Sequence, residues 1–408
     1  MKRDHHKASW KNTTLPRLGE TVAHDLLRMM SCFLHDRQWT PSVGTDPAVF
    51  SGYAQEHGIG GVIGTLDNRG LLSAPPTIQK GGTEQYIANM IRHEQFSRLL
   101  RHVDRIAKKK TIRYAVFKGP ALADHIYQDS GVRSYGDIDL LITGRTDLGT
   151  LLDDPFFSNN RPDISYSATS FTHPGRTHVI VNGLTLEFFF PITGICDPMF
   201  YFVQKHQEQL LRPSRQDEYA TPSHTLHFLF LLFHLQKHFC TRLIWHLDIL
   251  LFFKKFYTVL DIQWIQEELK QMQLCQFSHY LNQFYKRYFD LDLGLFPHRI
   301  KQGWNTTIIR HMASIKQVHG TIGANRLKEY PFTTSAITIS RLLIITDPEQ
   351  QSFFRTSRGF EWTAALFCRK FYITNPIILF LASKLMVPIK IALAPLIRHL
   401  VLRRFRLQ

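Results

Sequence analysis

The stretch Val132–Ile142, "VRSYGDIDLLI", sets two carboxylates one residue apart inside an apolar run. In a strand, residues i and i+2 project from one face, so Asp137 and Asp139 point together while Ile138, Leu140 and Ile142 face the opposite way. Two like charges side by side call for a counter-charge or open water. A pair of hard oxygen ligands on one strand face suits Mg²⁺, and paired ions about 3.5–4 Å apart clamp the attacking and leaving oxygens of a phosphoryl group. A solvated strand end is the bland alternative.

Working outward, "IRYAVFKG" (Ile112–Gly119) is a short β-type run, and Pro120 stands at a first helical position. Strand, helix and strand thus follow within 35 residues. "THVIVNG" and "LTLEFFF" (Leu184–Phe190) meet at Asn182-Gly183, a strong two-residue hairpin signal. These runs predict a small mixed sheet with a helix on it. Glu187, flanked by Leu186 and Phe188, is the natural third carboxylate, since an acid in so apolar a setting needs a partner. Lys118 and Gly119 stand where strand gives way to helix, a place that offers N–H groups to phosphates. Arg133 can serve the same phosphates or pair with Asp137.

The segment "FKGPALADHIYQDSGVRSYGDIDLLI" resembles the uncharacterised bacterial nucleotidyltransferase-like proteins of the polymerase-β superfamily, with their K-G, R and D-I-D-L-L run. The resemblance extends through "YAQEHGIGGVIGTLDNRGLL" and "LHFLFLLFHLQKHFCTRLIWHLDILLF", covering about residues 20 to 260. It implies metal-dependent transfer of a nucleoside monophosphate from a nucleoside triphosphate, ATP among them, to an acceptor hydroxyl, with release of pyrophosphate. Asp137 and Asp139 would be metal ligands for Mg²⁺ or Mn²⁺, Glu187 the third ligand or base, and Lys118 with Gly119 the phosphate contact. Lys-Gly stands where the superfamily usually has Gly-Ser, and "LEFFF" has Glu where relatives of this family more often show Asp and His. The alternatives are a catalytically silent scaffold in a membrane-associated biosynthetic assembly, and a toxin-type or tRNA-modifying nucleotidyltransferase.

Around this core the apolar period is helical. Gly19–Asp36 reads as an amphipathic helix, and a second opens near Thr83 and ends at Lys108–Lys110. "GIGGVIGTLDNRGLLSAPP" lacks the spacing of a phosphate loop and reads as a helix and its turns. After Pro191 come "HTLHFLFLLFHLQKHF", "RLIWHLDILLFFKKF" and "IQWIQEELKQMQLCQFSHYLNQFYKRYF", each helical. The expected class is α+β: a helical region over 1–110, a nucleotidyltransferase-like core over 111–192, a helical domain over 193–346, and an apolar, basic extension over 347–408, with Asp347–Gly359 as a polar connection. His227, His234 and His238 share a helical face, with Asp248 at the start of the next helix. They line an acceptor pocket or face the sheet as satisfied polar groups, the transition-metal reading being weaker. His125 reads as a helix-surface residue.

Composition supports a folded chain: 408 residues, 44% hydrophobic and 12% aromatic. The N-terminal twenty residues hold basic groups with no apolar h-region, which argues against a secretory signal and for the cytoplasm. Five scattered cysteines with no C-x-x-C pair argue against a disulfide framework and a structural zinc site, and for reduced, mostly buried thiols. Of the net charge of +16, about half sits between Trp362 and Gln408, where eight Lys and Arg meet no Asp or Glu. No RNA-binding signature accompanies it, so nucleic acid is not the expected main partner. Residues 375–408 fit peripheral contact with an anionic membrane, since Phe371–Ser383 is too short to span one and Pro388 and Pro395 interrupt a helix.

Overall fold

The computed structural model describes residues 15–160, 163–166, 176–189, 198–212, 219–237, 240, 242–272 and 274–296. The chain opens with α1 (Leu15–Leu34), α2 (Pro47–Glu56), α3 (Gly60–Asn68) and the long α4 (Pro76–Lys109). Then come β1 (Tyr114–Val116) and α5 (Pro120–Leu122), which continues as one π turn, Ala123–Tyr127. Next are β2 (Asp137–Ile142), α6 (Arg145–Leu152), α7 (Pro155–Asn160), β3 (Asp163–Tyr166), β4 (Arg176–Val181) and β5 (Leu184–Phe189). The remainder is helical: α8 (Pro198–Lys205), α9 (Gln207–Leu210), α10 (His224–Lys237), α11 (Leu243–Phe256), α12 (Ile262–Gln271) and α13 (Cys275–Phe289). The chain is therefore α+β.

Local signals place several of these ends. Asp46 caps α2 by accepting from the N–H groups of Ala48 and Val49, and Asp261 caps α12 through Trp264. α4 starts at Pro76, ahead of the turn near Thr83 that periodicity favours, because Pro fits the first helical turn. The long run from Ile262 is two helices rather than one, α12 and α13, broken at Met272–Leu274.

The sheet has the order β1-β2-β5-β4-β3, with β2 and β5 parallel and the other pairs antiparallel. Asn182 and Gly183 both take positive φ, 51° and 77°, as the tight turn between β4 and β5 requires. One face presents Val116, Ile138, Leu140, Ile142, Leu186 and Phe188 to Phe96, Leu100 and Val103 of α4 and to Leu148 and Phe157 of α6 and α7. The opposite face, with Ala115, Phe117, Leu141 and Phe189, belongs to a second apolar cluster that takes in α1–α3 and α10–α13. Phe117 meets Phe230 of α10 at 4.1 Å between ring centroids. Among the described cysteines, Cys240 is buried, Cys32 and Cys275 are half-buried, and all three are free thiols. Among the described residues no helix is long and apolar enough to cross a membrane. The extension 347–408, its polar connection, the first fourteen residues, Cys196, Cys368 and His238 lie outside the described residues.

The glycine run of α3 is explained by close packing rather than by phosphate. A Cβ on Gly61 would fall 2.2 Å from the Gly131 carbonyl oxygen and 2.5 Å from that of Val132, and one on Gly64 would fall 2.6 Å from Cβ of Tyr86. α3 thus lies directly on α4 and on the loop before β2. Gly61→Ala should lower stability by about 1–3 kcal/mol through overpacking against backbone. Gly81→Ala, whose new methyl meets nothing closer than 3.7 Å, should be neutral or stabilising by up to about 1 kcal/mol. Thermal melts of the two variants beside wild type check both signs.

Candidate active site

The register of the one parallel pair among the described strands builds the site. Asp139 on β2 lies directly opposite Glu187 on β5, and Asp137 lies opposite Thr185. Period two puts all three carboxylates on the face away from Ile138 and Leu186. Antiparallel β4 adds His178 opposite Glu187, with Nε2 3.5 Å from Glu187 Oε2. Asp139 and Glu187 are buried, while Asp137 is half-buried at the strand's start. They edge a cavity of about 170 Å³ whose wall also includes Lys118, Gly119, Arg133, His234, Arg242 and Trp245.

Burial pushes the Asp139 carboxyl up to about 6. Lys118 opposes that shift, and the negative charges of Asp137 and Glu187 add to it. Lys118 Nζ stands 2.9 Å from Asp139 Oδ2 and 2.9 Å from Nε2 of His234. An ammonium has no lone pair, so in that contact Lys118 donates and Nε2 of His234 accepts. Lys118, expected as a phosphate contact, lies here against the Asp139 carboxylate. Gly119 takes φ +69°, and a Cβ there would come 3.0 Å from the Asp137 carbonyl oxygen, so the turn needs glycine twice over.

Arg133 does not pair with Asp137. Its Nε and Nη2 bind the two oxygens of Asp248 at 2.8 and 2.9 Å, a fully buried bidentate pair, and the Tyr127 hydroxyl donates to the same carboxylate at 2.7 Å. Burial disfavours the guanidinium charge, and Asp248 overcomes it, holding the pKa of Arg133 above its usual value. Nη1 of Arg133 is buried with no hydrogen-bond partner, on a side chain that lines the cavity. Asp248 sits within α11 rather than at its start, which is how it reaches Arg133. Arg242, just ahead of α11, reaches the cavity rim; desolvation and Arg133 lower its pKa while Asp137 raises it.

The loop carrying Arg133 is held from α4: Asn89 Nδ2 donates to the Gly131 carbonyl at 2.8 Å, and Ser134 Oγ donates to Asn89 Oδ1 at 2.9 Å. The Tyr135 hydroxyl meets His93 Nδ1 at 2.9 Å, and His93 Nε2 stands 3.0 Å from Asp124. The expected histidine face divides. His227 is a buried imidazole pushed down to about 3 by desolvation and bound to the Phe117 carbonyl at 2.6 Å, a satisfied core group. His234 is a wall of the cavity, and His238 lies outside the described residues. Asp248 is engaged by Arg133, and among the described residues His227, His234 and Asp248 form no shared ligand set. His125, half-buried in the π turn, packs edge-on to Tyr219.

The donor set of Asp137, Asp139 and Glu187 is all hard oxygen, and its unbalanced negative charge fits a divalent cation. As placed, no group of three or more His, Cys, Asp or Glu side chains among the described residues could hold a metal ion, and Lys118 lies against Asp139. Carboxylates on paired strands, beside a cavity lined by Lys and Arg, are residue types that phosphoryl and nucleotidyl transfer employs. The chain belongs to a family of uncharacterised nucleotidyltransferases, whose model matches residues 44–290. Comparison with curated proteins and with solved structures finds no match.

Two outcomes follow from this electrostatics. A carboxyl whose folded pKa lies above its unfolded value binds more protons when folded, so its contribution to stability falls as pH rises from about 4 to about 6. Asp139→Asn should therefore gain stability over wild type across that window, by about 1–3 kcal/mol at pH 7, with the gap closing below pH 4; urea titrations at pH 4 and pH 7 measure it. Asp248→Ala strands a buried guanidinium and should cost about 3–5 kcal/mol, read as a lower denaturation midpoint.

Proposed function

We propose that this protein is a metal-dependent nucleotidyltransferase that moves a nucleoside monophosphate from a nucleoside triphosphate to an acceptor hydroxyl and releases pyrophosphate. The observation that carries the reading is the register that puts Asp139 opposite Glu187, with Asp137 on the same face, at a cavity lined by Lys118, Arg133 and Arg242. Family membership over residues 44–290 supports the reaction class.

Asp137 and Asp139 would hold Mg²⁺ or Mn²⁺, with Glu187 as third ligand or as the group that orients the acceptor hydroxyl. The bound ion supplies charge neutralisation on the phosphates as pyrophosphate leaves. Lys118 transfers its ammonium from Asp139 to a phosphate oxygen when the nucleotide enters, a short move for a flexible side chain. Gly119 leaves room for that phosphate beside the turn. Arg133, already fixed on two nitrogens by Asp248, offers its remaining Nη1 to the polyphosphate without further ordering cost. Arg242 closes the rim with a second guanidinium. The acceptor oxygen bonds to the α-phosphorus as the bond to the pyrophosphate oxygen breaks, and the hydroxyl proton passes to Glu187 or to solvent. Positioning and electrostatics supply most of the rate in this chemistry.

The test is incubation of wild type and the Asp137→Ala, Asp139→Ala double variant with each α-labelled nucleoside triphosphate and Mg²⁺ or Mn²⁺, in the presence of cell extract. Label should move to an acceptor with stoichiometric pyrophosphate, and the double variant should be slower by at least about a hundredfold. Equal turnover in the two proteins, or none with any nucleotide, overturns the proposal.

A further inference from the structure

The outer face of α4 has no part in the cavity, yet it is unusual in composition. Ile87, Met90 and Ile91 are 50%, 43% and 58% exposed, three of the six large apolar side chains so exposed among the described residues. Farther along the helix Arg98, Arg101, Arg105 and Lys109 are exposed as well. At 100° per residue these seven side chains fall within an arc of about 100°, along about 33 Å of helix. The opposite side of α4 carries Asn89, Phe96, Leu100 and Val103, which hold the Arg133 loop and the sheet. Glu94 lies inside the arc and pairs with Arg98 at 2.7 Å and Arg101 at 3.6 Å, subtracting one charge from four.

A solvated helix face has use for the charges but not for two isoleucines and a methionine. Self-association is disfavoured by size, because one helix face of seven side chains falls short of the roughly 20–30 residues a side that a stable interface takes. Nucleic acid would take the arginines, but the face holds no aromatic side chain on which a base can stack. An anionic bilayer uses both halves: aliphatic side chains enter the boundary between headgroups and acyl chains, while Lys and Arg meet lipid phosphates. We infer that the exposed face of α4 from Ile87 to Lys109 is a docking surface for an anionic lipid membrane, with the helix lying along it. This holds whether or not the cavity transfers nucleotides. Docked in this way, the loop bearing Arg133 lies about one helix diameter from the lipid surface.

The experiment is co-sedimentation of the full chain with vesicles of phosphatidylcholine alone and of equal parts phosphatidylcholine and phosphatidylglycerol. Two variants accompany wild type: Ile87→Ser with Met90→Ser and Ile91→Ser, and Arg98→Gln with Arg101→Gln, Arg105→Gln and Lys109→Gln. Each basic residue near such a surface raises partitioning about fivefold. Wild type should bind the anionic vesicles and not the neutral ones, and each variant should bind at least about tenfold more weakly with an unchanged melting temperature. Binding that is equal in all three proteins, or absent in wild type, overturns the inference. So does loss of dimerisation or of RNA binding in the variants while vesicle binding persists, which would assign the face to another copy or to nucleic acid.

Discussion

The parallel pairing of β2 with β5 is the constraint on which both core and site depend. Its register sets Ile138 beside Leu186 and Leu140 beside Phe188 on one face, and Asp139 beside Glu187 on the other. Side chains alternate with a period of two, so a slip of one residue would drive carboxylates into the apolar cluster under α4 and expose that cluster to the cavity. The apolar residues therefore do more than stabilise the sheet, since their burial fixes which oxygens converge. Because neighbours in a parallel pair cannot be joined by a tight turn, the chain must leave and return between them. α6, α7, β3 and β4 occupy that excursion.

Convergence has an electrostatic cost. Asp139 is buried with Asp137 and Glu187 near enough to raise its pKa, and one ammonium, that of Lys118, offsets part of this. Strain of this kind is retained where the charge is used. Two apolar clusters, one on each face of the sheet, supply the stability that such a site subtracts. The same accounting explains why His227 is neutral: burial outweighs the Phe117 carbonyl, which by itself favours the charged ring.

Local pattern made β2 legible in the sequence, from alternation in "DIDLLI" to its two carboxylates, and Asn-Gly fixed the β4–β5 hairpin in the same way. The adjacency of Glu187 to Asp139 could be expected only as membership of one sheet, since pairing order is not written in a single strand. β3, α6 and α7 went unread because "RTDLGTLLDDPFFSNN" and "DISY" carry too little apolar periodicity to stand out. The weak signal for Arg242 was its place just before an apolar helix, where nothing local says it returns to the cavity. Asp248 was read at the start of the helix after the histidine face, as a carboxylate beside it, and the sequence did not point to Arg133 across 115 residues. The α3 glycines excluded a phosphate loop by spacing, while their packing role is a property of two helices meeting and not of either alone.

The Arg133–Asp248 pair shows how the two layers of the protein are held in one geometry. Ion pairs this deeply buried add little net stability, because desolvation consumes most of the attraction. What they supply is exclusivity: a bidentate guanidinium accepts one orientation, and the Tyr127 hydroxyl on the same carboxylate removes the freedom of Asp248 as well. The loop from Gly131 to Tyr135 is thereby tied to α11 on one side and, through Asn89 and His93, to α4 on the other. The cavity wall is formed between a helix that belongs to the large apolar cluster and one that covers the sheet. Any rotation of one cluster against the other must break a buried ion pair or an amide–carbonyl hydrogen bond, so the distance between the carboxylates and the guanidinium groups is set by the fold and not by side-chain choice.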